Sequence, residues 1–229
     1  MLNDKKILIV GGSSGIGFAV ASLAQKNGAN VVIASRNPKE RAASFFEKAD
    51  ESTEIHTFDI TIPEDHFRLF ESTGIVDHLV ITVRPVIKSS PFQKIDVNEA
   101  KHAFETKFWG QYQLIQVAQK HLRESGSIIL TSGIAGEKIF KGASTMSIIN
   151  CCIETLCRVL SVELAPIRIN VVSPGFIEPK PTVIEEISKQ FPAKRLGSVD
   201  EIASAYLWLM GSQYTTGTVT VIDGGARHI

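Results

Sequence analysis

Cysteine is scarce: the 229 residues hold three, Cys151, Cys152 and Cys157, all within one helical segment. An odd, clustered count excludes a disulfide framework and a Cys/His zinc site. The three are expected to act as small apolar residues in a reducing, cytoplasmic setting. Net charge is absent as well, since 24 Lys and Arg balance 24 Asp and Glu. A neutral chain has no field to gather nucleic acid or an anionic membrane, so neither is expected as a partner. The start, Met1–Lys6, is polar and carries no leader-like apolar run. No apolar stretch reads as long enough to cross a bilayer. The six histidines show no metal-ligand spacing, and no metal is expected. Linkers, repeats and low-complexity tracts are missing too, which leaves residues 1–229 as a single domain.

What is present is an alternation of short β-branched runs and helical segments. Strands are expected at Lys6–Val10, Asn30–Ser35, Glu54–Phe58, His78–Thr82, Ser127–Thr131, Arg168–Val172 and Thr218–Ile222. Most are continuous apolar blocks, the pattern of strands covered on both faces. Helix starts are marked by Asn37-Pro38, by Thr61-x-x-Glu64 and Ser198-x-x-Glu201 as capping boxes, and more loosely by Asp96 with Glu99. Strand–helix alternation with right-handed crossovers implies an α/β fold: a Rossmann-type doubly wound parallel sheet of about seven strands, helices on both faces. The helical segments 97–123 and 144–165 carry apolar residues. In the second, Met146, Ile148, Ile149, Cys151, Cys152, Ile153, Leu156, Leu160 and Leu164 read as a buried face. The stretch Pro174–Gly197 reads as irregular, a candidate substrate loop.

The first strand runs into Gly11-Gly12-Ser13-Ser14-Gly15-Ile16-Gly17 and then a helix. Glycines allow a tight turn, and the helix start offers free N–H groups to a pyrophosphate. Gly11, Ser13, Ser14, Gly15, Ile16 and Gly17 are therefore candidate cofactor contacts. The second strand ends Ser35-Arg36-Asn37, with no carboxylate to hold a ribose 2′-hydroxyl. Ser35 can donate a hydrogen bond, and Arg36 can pair with a 2′-phosphate, which favours NADP(H) over NAD(H). Asp59, followed by Ile60, can contact adenine or can cap the next helix; the sequence leaves both open. Arg84, just past the fourth strand, can meet cofactor phosphate or an anionic substrate, or point to water.

These motifs resemble the short-chain dehydrogenase/reductase family over essentially the whole chain. The glycine turn is similar to that family's Thr-Gly-x-x-x-Gly-x-Gly motif, with Val10 in the Thr position. Ile167–Gly175 resembles its sixth strand and Pro-Gly turn, and Thr216–Gly225 its last strand. The resemblance adds Pro174, Gly175 and Ile177 as cofactor contacts. It also implies a homodimer or homotetramer formed through the two helices, with a small-molecule substrate.

The family's chemical residues are replaced. Aligned on Gly126 and Gly136, its catalytic Ser falls on Gly133, with Ser132 adjacent. Its Tyr falls on Met146, its Lys on Asn150 and its helical Asn on Lys107. The family Tyr supplies the proton that a reduced carbonyl needs, and a thioether has none to give. Lys107 and Asn150 look like the family's Asn and Lys with places exchanged, so Lys107, Ser132 and Asn150 become the candidate catalytic residues. Lys107 and Asn150 would also touch the cofactor. Ser132, Ser144 and Thr145 offer hydroxyls near the site, but the sequence names no partner to activate them. The expected function is an NADP(H)-dependent oxidoreductase of small carbonyls or alcohols with a non-standard proton donor. The alternative is a catalytically silent NADP(H)-binding redox sensor or partner subunit.

Overall fold

The structure, a computed structural model, is described for residues 2–38 and 53–229. The strands are β1 (Lys6–Val10), β2 (Asn30–Ser35), β3 (Glu54–Thr57), β4 (Val76–Ile81), β5 (Leu122–Thr131), β6 (Arg168–Pro174) and β7 (Val219–Ile222). The helices among the described residues include α1 (Gly15–Lys26), α2 (Pro63–Thr73), α3 (Val97–Phe104) and α4 (Gly110–Ala118). They continue with α5 (Ser144–Glu163), α6 (Thr182–Ser188) and α7 (Val199–Gly211). The helix expected to open at Asn37-Pro38 lies outside the described residues.

All strands pair in parallel, in the order β3-β2-β1-β4-β5-β6-β7. The chain winds outward from β1 in one direction through β2 and β3, then crosses back to β4 and proceeds the other way. That reversal at β1/β4 opens a crevice at the carboxyl ends of the strands. The strand alternation distributes the core. Leu8 and Val10 face one side, with Leu114 and Ile115 of α4 and Ile149 and Ile153 of α5. Ile7 and Ile9 face the other, with Val20 and Ala24 of α1 and Ile202 and Tyr206 of α7. Each such buried aliphatic side chain contributes roughly 1.5–3 kcal/mol.

Local signals account for the element ends. Ser198 and Glu201 close a full capping box at the start of α7. At its other end Arg168 donates to the carbonyls of Leu209 and Met210, at 2.8 and 2.9 Å. That satisfies two acceptors that a helix end leaves open. Asp96 caps α3 by accepting from the Asn98 N–H at 2.8 Å.

Several expectations are corrected. Thr61-x-x-Glu64 is not a capping box: α2 begins at Pro63 with Ile62 as its cap, and Thr61 is held by Asp59 instead. The helix expected over 97–123 ends at Ala118, because Leu122 and Arg123 open β5. Pro174–Gly197 is not wholly irregular, since α6 lies within it. Ile148 and Cys151 of α5 face outward rather than into the core, and of the three cysteines only Cys157 is fully buried. By length and composition α5 is apolar enough to cross a bilayer, against the expectation that no run is. Its residues Ile149, Ile153, Leu156 and Cys157 nonetheless pack into the core cluster that the sheet shares.

Candidate active site

The glycine turn sits at the switch point. Gly11 has φ +88°, and a Cβ there would come within 2.8 Å of the Thr82 hydroxyl at the end of β4. A Cβ at Gly17 would overlap the Gly11 carbonyl and the same hydroxyl, so α1 packs directly on the turn. Thr82 Oγ1 donates to the Val10 carbonyl at 3.2 Å and ties the two strands together there. Gly15 has φ +53° with nothing among the described residues within 4 Å of a Cβ position. Ser14 is the N-cap and makes no side-chain cap bond, which leaves the N–H groups of the first turn for another partner. Ser13 is buried beside them.

At the end of β2 the Ser35 hydroxyl is buried without a hydrogen-bond partner among the described residues. An orphaned donor costs about 1–3 kcal/mol unless a ligand fills its need. Arg36 follows, exposed. These features fit a nucleotide with a phosphate beyond β2 and a pyrophosphate over α1. Asp59 is partly committed: its Oδ1 accepts from the Thr61 N–H at 3.0 Å and from its hydroxyl at 2.8 Å. The Ile60 carbonyl is taken by His66 Nε2 at 2.9 Å. Pro174 ends β6, and Gly175 lies so near β7 that a Cβ would come within 2.7 Å of Asp223 Cα. Ile177 bridges to Gly197.

Lys107 is placed by a break in helix regularity. Residues Glu105–Trp109 form a π-helical turn between α3 and α4, in which the Gly110 N–H reaches the Glu105 carbonyl. Such turns rotate the following side chains relative to an unbroken α-helix, and they recur at functional sites. Gly110 has no room for a side chain, because a Cβ would lie 2.9 Å from Ile60. The buried Gln111 donates to the Lys107 carbonyl.

The Lys107 side chain is buried and turned toward the carboxyl end of β5. Its Nζ donates to the Asn150 side-chain oxygen at 2.8 Å and to the Ser132 carbonyl at 3.0 Å. Burial, reinforced by the Arg84 charge and opposed by Glu154, lowers its pKa to about 7. Asn150 turns its amide to the Gly133 carbonyl at 3.2 Å. A Cβ at residue 133 would lie 3.2 Å from that amide, so a glycine here makes room for Asn150. Met146 and the buried Thr145 line a neighbouring cavity of about 430 Å³. The Ser144 hydroxyl is buried without a partner among the described residues.

The structure thus brings Lys107, Ser132 and Asn150 together and keeps Lys107 out of bulk solvent. It also adds two residues that the sequence reading missed. Glu154 accepts from the Ser132 hydroxyl at 2.9 Å, the carboxylate partner that the sequence had not named. The only signal for it was its i+4 spacing from Asn150 on α5. Lys180, in the loop after β6, lies near enough to Arg84 for that charge to add to burial in lowering its pKa. No local pattern marks that pair.

Known proteins resemble this chain over nearly its whole length. The family model described as enoyl-(acyl carrier protein) reductase matches residues 10–227. The short-chain dehydrogenase/reductase fsr5 of Gibberella fujikuroi is 28% identical, covering 98% of this chain and 95% of its own. The human 3-oxoacyl-[acyl-carrier-protein] reductase is 29% identical over 99% of both. Among solved structures, a small-chain dehydrogenase in complex with NADPH superposes with a TM-score of 0.82, at 29% identity over 99% of this chain and 100% of its own. The MalC reductase/Diels-Alderase of Malbranchea aurantiaca superposes with a TM-score of 0.91, at 26% identity over 100% of this chain and 97% of its own. With the sheet order, the glycine turn and a family match spanning nearly every residue, the chain belongs to the short-chain dehydrogenase/reductase family.

Proposed function

We propose that this chain is an NADP(H)-dependent oxidoreductase that interconverts a small carbonyl and its alcohol, with Lys107 as proton donor. The observation that carries the reading is Lys107 itself. It is a buried lysine at the carboxyl edge of the sheet, held by Asn150 and Ser132, with its pKa near 7. A general acid works best when its pKa lies near the working pH.

A nicotinamide bound there would supply the hydride. The chain's own residues do the rest. The first-turn N–H groups of α1 hold the pyrophosphate, with Gly11, Ser13 and Ser14 shaping the turn. Ser35 and Arg36 hold the 2′-phosphate, and the NADPH-bound relative supports that choice. Two of the three Lys107 donors are spent on Ser132 and Asn150. The third is left for the oxygen on which negative charge develops. Arg84 favours release of that proton. The second amide hydrogen of Asn150 is left for a ribose hydroxyl. Met146, standing where the family resemblance places a tyrosine, contributes wall and no proton.

That same thioether favours the second reading, a silent NADP(H)-binding sensor or partner subunit. NADPH fluorescence with the purified chain tests binding, and a panel of small ketones and aldehydes tests turnover. Turnover that disappears in Lys107→Met while NADPH still binds supports the enzyme. Binding with no turnover across the panel supports the sensor.

A further inference from the structure

Glu154 is a half-buried carboxylate that the proposed chemistry does not use. It lies one helical turn beyond Asn150 on α5, so both side chains share a face. Gly136 leaves room for the pair: a Cβ there would lie 3.1 Å from Asn150 Cβ and 3.2 Å from Glu154 Oε1. Ser132 is then gripped twice. Its hydroxyl donates to Glu154 Oε1 at 2.9 Å, and its carbonyl accepts from Lys107 Nζ at 3.0 Å. The charges fall in a definite order. Lys107 is faced by Arg84 from the loop after β4 and by Glu154 from α5; Glu154 is faced in turn by Arg158, Glu137 and Lys107. Among the described residues, of the two charged groups acting on Lys107 only Glu154 favours the ammonium. Glu154 also lines a cavity of about 590 Å³ with Glu137, Arg158 and Arg227, separate from the one beside Met146.

We propose that Glu154 is the positioning residue for Lys107: it fixes Ser132 so that the Ser132 carbonyl meets the ammonium, and its carboxylate is the charge that favours that ammonium. The catalytic consequence rests on the reading of Lys107 as the acid. In that step the N–H bond of the ammonium breaks and an O–H bond forms on the alkoxide. Lys107 is left neutral and regains its proton from water. A carboxylate beside it raises the fraction of chains that are ready to donate.

The test reads Lys107 directly. Chain labelled at the lysine ε-carbon and ζ-nitrogen is titrated by NMR without cofactor, Lys107→Met identifying the signal. In Glu154→Gln, the Lys107 midpoint should fall by about one pH unit, a roughly fivefold loss of ammonium at pH 7 from a midpoint near 7. Glu154→Asp should restore most of the shift. An unmoved midpoint in Glu154→Gln overturns the proposal, and Glu154→Ala is titrated and read in the same way if the glutamine variant does not fold. If the chain turns over, the alkaline limb of its kcat/KM profile should move by the same amount. The two readings fail separately. A moved midpoint with full turnover in Lys107→Met sinks the acid and keeps the positioning role. An unmoved midpoint with abolished turnover in Lys107→Met does the reverse.

Discussion

At the scale of single residues, the cofactor preference turns on two adjacent side chains. The Ser35 hydroxyl is buried and has no partner among the described residues, and Arg36 beside it is exposed. A charge-assisted contact with a 2′-phosphate is worth roughly tenfold to a hundredfold in affinity. NADPH should therefore bind at least about tenfold more tightly than NADH, and Arg36→Ala should erase most of the difference. Parallel titrations at one ionic strength check this, and equal binding of the two cofactors by the unaltered chain would defeat it. Lys107 makes a second prediction, on stability. Its folded-state pKa of about 7 lies below the ordinary 10.5. Between those values the unfolded chain binds the additional proton, so this group makes stability rise with pH from about 7 to about 10. The rise is on the order of 5 kcal/mol at most. Lys107→Met should flatten that part of the curve, as measured by urea unfolding at pH 7 and pH 9. The same slope in both proteins would show that Lys107 is not the source. Lys107 was legible in the sequence as an anomaly at a family position. Glu154 was not, because its partner Ser132 is distant in the chain and meets it only across the end of β5.

At the scale of elements, the π-helical turn is the device that aims Lys107. The turn depends on Gly110, whose missing side chain lets it sit against Ile60 and the Glu105 carbonyl. In Gly110→Ala the methyl group would meet Ile60 at 2.9 Å, and the turn must shift or rewind. Overpacking of that kind costs roughly 1–3 kcal/mol. The Lys107 signal should broaden or move in the variant, while the glycine turn, on a different element, should keep its cofactor. Loss of NADPH binding comparable to the loss of stability would contradict that division. Helix periodicity over 97–123 could not show the turn. One unbroken helical pattern and a helix carrying one π turn differ by the phase of a few residues, and that phase is settled by packing against the sheet.

At the scale of the whole molecule, the outer surface of α5 and the adjoining π turn leave apolar groups uncovered. Trp109 is 44% exposed, Ile148 51%, Val159 46% and Val162 77%. A run of such groups on neighbouring elements is expected where another subunit docks. We propose that this face joins two copies of the chain, as a dimer or as half of a tetramer. Sedimentation at micromolar concentration should show the assembly, and Val162→Glu combined with Val159→Glu should shift it toward monomer. A wild-type chain that sediments only as monomer would end the proposal.

By itself the sequence determined the strand set, the parallel winding and the glycine turn. Each of these rests on short-range rules: continuous apolar runs for doubly covered strands, and glycine where backbone must approach backbone. It also showed which family positions are altered, because residue identity needs no geometry. The capping box at Ser198 was local and held; Thr61 was equally local but was claimed by Asp59, two residues back. Only the tertiary structure decided what Lys107 is. Its environment comes from four separated pieces of chain: the loop after β4, the π turn, the end of β5 and the middle of α5. Burial sets its proton affinity, Arg84 and Glu154 bias it in opposite directions, and Asn150 and Ser132 fix its place. Desolvation and charge act through space, so a lysine's chemistry is written in distances that chain order does not record.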